Sequence, residues 1–177
     1  MGLCAQISLL SASTIAKTSV KINGFANISD KNVHNISSNG SVKCVNVNCD
    51  GFECNGSADV REMTCNSIKV NGEFAGTNLT VLGPTRVNGS MNVKNGKLQD
   101  ITISTKESIL IDTEVNANIN MRQSMRNKQE VEKSVLKLKG NTVVNGDIIF
   151  EVDGEVHLDS GVQITGKVER GTLVYDG

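Results

Sequence analysis

The chain has 177 residues, 38% of them hydrophobic, with 18 Lys+Arg against 19 Asp+Glu and a formal net charge of −1. That length fits one domain, the balanced charge excludes a strongly basic nucleic-acid surface and an acidic disordered tail, and no run of about 18 apolar residues offers a membrane-spanning helix. With 3% aromatics, no Trp, one Pro and 17 Gly, the chain lacks the large side chains with which a helical bundle or an ordinary α/β enzyme fills its core.

Residues 1–19 read as a lead-in. Gly2 to Ser13 is apolar and small, and Ser11-Ala12-Ser13 supplies the small residues that signal peptidase accepts. A positive n-region is missing and the apolar stretch is short. The expectation is a truncated secretory signal peptide whose start lies upstream or is misassigned, which would place the protein in the periplasm or at the outer membrane. The alternative is an apolar first strand over the bottom coil, in a cytoplasmic protein. Cys4 follows Gly2-Leu3, a poor match to a lipoprotein acylation site.

From residue 20 onward a repeat governs the chain. Asn-Gly pairs stand at Asn23, Asn39, Asn55, Asn71 and Asn88, at intervals of 16, 16, 16 and 17. Asn-Gly alone is a common turn signal because both residues tolerate positive φ. Its return at a fixed period points to a solenoid. With each Asn as position zero, apolar residues recur three before it (Val20, Ile36, Phe52, Ile68) and one before it (Ile22, Cys54, Val70, Val87). Others recur three after it (Ala26, Val42, Ala58, Phe74, Met91) and five after it (Ile28, Cys44, Val60, Val93). The last two columns are eight after (Val47, Met63, Leu79) and ten after (Val33, Cys49, Cys65, Val81, Leu98).

Three pairs, each spaced by two, are three short strands. The predicted fold is all-β: a single-stranded parallel β-helix of about 16 residues and three short strands per coil, occupying residues 20–177. Coils stack at about 4.8 Å, so each inward side chain meets its counterpart above and below. The repeated Asn is expected to form a corner ladder of side-chain amides, and the following Gly to take the backbone angles of the corner.

Further along, Ile101 and Ile103 match the strand before the corner, with Ser104 at the Asn position, and Ile109 and Ile111 supply the next strand. Asn120 and Asn145 are read as the later members of the Asn ladder. The interval between them exceeds the period and makes one coil plus an insertion, placed at 121–133. Its charges, Arg122, Arg126, Lys128 and Lys133 among them, suit either a solvated loop or a docking element carried on the scaffold. The alternating pairs Ile148/Phe150, Val156/Leu158 and Val162/Ile164 read as further coils, closed by a terminal cap.

Cys44, Cys49, Cys54 and Cys65 all fall in the repeat. Cys49 and Cys65 share one column, a single period apart, within disulfide reach if coils stack. They are either a disulfide or a free buried pair. Zinc is disfavoured because Cys44, Cys49 and Cys54 lie on three different strands and do not converge. Glu151, Asp153, Glu155 and Asp159 read as a solvated strand face rather than a calcium site. His34 and His157 accompany no nucleophile, phosphate-loop or zinc-protease motif, and the period of 16 does not fit the hexapeptide repeat of acyltransferases. The chain therefore reads as non-enzymatic and without a cofactor.

Units such as Ser67-Ile68-Lys69-Val70-Asn71-Gly72-Glu73-Phe74 and Arg86-Val87-Asn88-Gly89-Ser90-Met91 resemble the bactofilin-like, polymer-forming β-solenoid proteins of bacteria, from about Val20 to Leu98. Bactofilins are cytoplasmic and have few cysteines. The signal-like start and the cysteine cluster make this chain more similar to small exported envelope relatives, including accessory subunits of Dot/Icm-type type IV secretion core complexes. The resemblance implies a structural or interaction role, with other envelope proteins or a second copy of itself as partner. It implies no catalytic residue.

Overall fold

The computed structural model describes residues 5–6, 18–123 and 133–176. Apart from Ala5 and Gln6, the signal-like stretch from Gly2 to Ser13 lies outside them. The described residues form strands and turns only, and every strand pairing is parallel. The strands are β1 (Ala5–Gln6), β2 (Val20–Val81), β3 (Thr85–Asn88), β4 (Met91–Leu98), β5 (Ile101–Ser104) and β6 (Glu107–Ile111). After them come β7 (Glu114–Val115), β8 (Ile119–Arg122), β9 (Ser134–Lys139), β10 (Val143–Val144), β11 (Ile148–Leu158), β12 (Gln163–Ile164) and β13 (Val168–Tyr175). The chain is a parallel β-solenoid.

Strand β2 runs for 62 residues, far longer than any straight strand of a domain. It stays continuous by winding. One corner of each of the first five coils is a glycine at positive φ: Gly24, Gly40, Gly56, Gly72 and Gly89. A second corner is a non-glycine residue in the left-handed region, seven residues after each Asn at Asp30, Asn46, Glu62, Asn78 and Asn95 and eight after Ser104 at Asp112, with φ between 49° and 55°. Asn and Asp tolerate that conformation best because their short side chains bond locally. No single residue type marks this second corner along the sequence.

Register shows how the period drifts. Ile68, Thr85, Ile101, Ile119, Ile148 and Val168 lie over one another, and the spacing between them shows that successive coils differ in length. The longest coil, from Ile119 to Ile148, contains the insertion. That insertion begins later than the sequence suggests, because Met121 is buried at 2% exposure and Arg122 still pairs with Ser104. Strand β9 resumes the coil at Ser134.

The bore is filled by the six predicted columns. Val47, Val60, Val70, Val93, Leu98, Ile101 and Ile103 are fully buried. Volume is balanced along the axis: Phe74 stacks beside Ala58 and Met91, and the neighbouring Val position becomes Gly76. A Cβ there would collide with Leu79. Phe150 is accommodated likewise by Gly154. Small residues suffice because each coil supplies only a thin slice of a continuous core.

Two strands depart from expectation. Ser108 and Leu110, not Ile109 and Ile111, point inward, since Met91 pairs with Ser108 and Val93 with Leu110. A shift of one residue exchanges the faces of a strand. At the other end, β13 pairs with β11 as a further rung, but no described residue covers it. Leu173 is 40% and Tyr175 74% exposed, where a cap was expected.

Candidate functional site

The Asn column begins as predicted. Asn39 donates its Nδ2 to Asn23 Oδ1 (3.4 Å), Asn55 to Asn39 (3.0 Å) and Asn71 to Asn55 (2.7 Å). Each amide thus uses its nitrogen downward and offers its oxygen upward, an arrangement Asn allows and Asp does not. Asn88 continues the register over Asn71, and Ser104 and Arg122 occupy the next two places.

Asn120 is not a member. It pairs with Thr102, two residues short of the corner, because its coil is longer by two than the coil beneath. A slip of two preserves the inward–outward alternation, so the pattern concealed it. Asn145 belongs to another corner, where it donates to Asn116 Oδ1 at 3.2 Å. That corner carries its own column below. His34 Nδ1 bonds Asp50, whose other oxygen accepts from Asn66 Nδ2 at 3.2 Å. The second left-handed corner is laddered as well, Asn46 to Asp30 at 2.7 Å and Asn95 to Asn78 at 3.1 Å. Polar side chains at the corners are therefore spent on holding rungs together.

The four cysteines at 44, 49, 54 and 65 are buried thiols. Burial, with the thiols of Cys49 and Cys54 nearby, pushes Cys44 up to about 12, and burial raises Cys54, whose sulfur faces the Gly40 carbonyl at 3.7 Å. Of the four, Cys49 and Cys65 are neighbours in one column, and hydrogen bonding between their side chains lowers Cys49 and raises Cys65. The structure brings this predicted pair together in its reduced form. Among the described residues no group of three His, Cys, Asp or Glu converges to hold a metal.

Of the four charges assigned to the insertion, Arg126 and Lys128 lie outside the described residues. The two ends of the excursion are tied to β11. The Gln123 backbone N–H donates to the Glu151 carboxylate at 2.9 Å, and Lys133 Nζ to Glu155 at 3.2 Å. Lys133 beside Glu155, with His157 on its other side, holds that carboxyl below the usual range. His157 also faces Asp176 at 3.2 Å. Asp159, another of the acidic residues near the end, accepts from the Gly140 N–H at 2.9 Å. These carboxylates brace corners and insertion ends. Sequence spacing alone did not reveal that use, because each partner lies a whole coil or more away along the chain.

An open notch of about 440 Å³ lies where Gly51 interrupts the outward column between Asn35 and Ser67, flanked by Glu53, Lys69 and Arg86. Lys69 is paired to Glu53 at 2.7 Å. Among the described residues no helix is long and apolar enough to cross a membrane. Compared with protein-family models, with curated proteins and with solved structures, the chain matches none.

Proposed function

We propose that this protein is a non-enzymatic structural and interaction element: an exported rod of the bacterial cell envelope that works inside a larger protein assembly, such as a secretion complex. The observation that carries this reading is the use of its polar side chains. Ladders from Asn23 to Asn71, from Asp30 to Asn46 and from His34 to Asn66 consume the groups that a catalytic site would need free. The result is a rod with three regular outer faces and one excursion, fastened at Gln123 and Lys133, which suits the display of a contact surface on a rigid support. The small, apolar lead-in supports export. Fractionation of cells producing the tagged chain tests the reading, with recovery in the envelope together with cross-linked envelope proteins expected. Recovery as a free cytoplasmic monomer would overturn it.

A second reading, a polymer-forming cytoskeletal rod, is favoured by the apolar Leu173 and Tyr175 exposed on β13. Electron microscopy of the purified chain separates the two. Filaments at micromolar protein support the second, and discrete particles support the first.

A further inference from the structure

The cysteines are not equivalent. Asn66 bonds Asp50, which stacks the segment around Cys65 directly over that around Cys49. Both thiols lie buried in one inward column, a single coil apart. Cys49 is 7% exposed, Cys65 1%, and Cys44 and Cys54 not at all. Cys49, next to a corner, is therefore the less deeply buried member of the pair, and Cys65 the more deeply buried. Rung stacking puts the two Cα atoms about 4.8 Å apart, inside the span a disulfide bridges.

The geometry points to a reversible redox site: Cys49 and Cys65 are converted between dithiol and disulfide by exchange with a small disulfide of the glutathione class. The Cys49 thiolate attacks one sulfur of the oxidant, whose S–S bond breaks and whose other half leaves as a thiol after taking a proton. The Cys65 thiol then loses its proton and attacks the Cys49 sulfur of the mixed disulfide, expelling the second thiol. Two protein S–H groups are oxidised, one external disulfide is reduced to two thiols, and the second and third coils are clamped beside their corner. Cys49 is the attacking thiol because it is the less deeply buried of the two. This inference stands apart from the envelope reading.

The test exposes the reduced, full-length chain to a series of oxidised-to-reduced glutathione ratios. Acid quenching and N-ethylmaleimide alkylation then precede mass spectrometry. The expected product lacks two hydrogen atoms, links Cys49 to Cys65 by fragmentation of the joined peptides, and reverts fully with dithiothreitol. A Cys44→Ala/Cys54→Ala variant keeps the link and Cys49→Ala abolishes it. The wild-type peptide map decides the matter if a variant does not fold. Both thiols persisting at every ratio until denaturant is added would overturn the inference. A link through any other cysteine, or a glutathione adduct that never resolves, would overturn it too.

Discussion

A Cβ built on Gly56 would strike the carbonyl oxygen of Gly40, closer than real Cβ atoms approach any atom. The same relation repeats from Gly40 onto Gly24, Gly72 onto Gly56 and Gly89 onto Gly72. The corner glycines thus serve two ends, a backbone angle and a close approach of one coil to the next.

The first glycine of the column separates those roles. Gly24 has φ +106° but nothing within 4 Å of its hypothetical Cβ. Gly24→Ala is expected to cost only backbone strain, about 1 kcal/mol. Gly56→Ala, at φ +142° with the clash, is expected to cost about 3 kcal/mol. Urea denaturation of both variants checks the difference; equal losses would contradict the stacked corner.

Thr85 is fully buried, its hydroxyl has no partner, and it stands between Ile68 and Ile101. Thr85→Val keeps the shape and removes the orphaned group. The expected gain is about 1 kcal/mol, read as a raised denaturation midpoint.

Val70 is fully buried and stacks under Val87. Val70→Asp would set an unpaired carboxylate into the bore, at a cost of about 4 kcal/mol or more. Loss of the cooperative transition is the expected result, and unchanged melting would refute the column assignment.

Alkaline pH offers a separate check. Burial raises the Cys44 thiol from 9.0 to about 12, so the folded state holds its proton where the unfolded state has released it. Stability from this group is complete below pH 9 and is lost as pH rises from 9 toward 12. The urea midpoint of the wild type should fall more steeply across that range than that of Cys44→Ala, each compared with its own value at neutral pH.

The architecture was legible because strand alternation and the Asn-Gly period reinforce each other from Ile22 to Val87. The six inward columns needed no tertiary information. The second corner was written just as regularly in Asp30, Asn46, Glu62, Asn78, Asn95 and Asp112, but positive φ in a non-glycine residue leaves no unique residue type to read. Asn120 was misplaced because its coil gains two residues without disturbing alternation, and Ile109 because a one-residue shift left it as apolar outside as Leu110 is inside. The clamps at Glu151 and Glu155 depend on register across the long coil from Ile119 to Ile148, which local pattern does not encode.

In-register stacking of coils is the claim on which the rest depends, and contacts between backbone protons of the isotope-labelled chain measure it directly. Nuclear Overhauser effects are predicted to connect Val70 to Val87 and Val87 to Ile103, with the staggered pattern of parallel strands. Cross-strand contacts in the antiparallel pattern, or contacts between residues three and four apart as in helices, would contradict the solenoid.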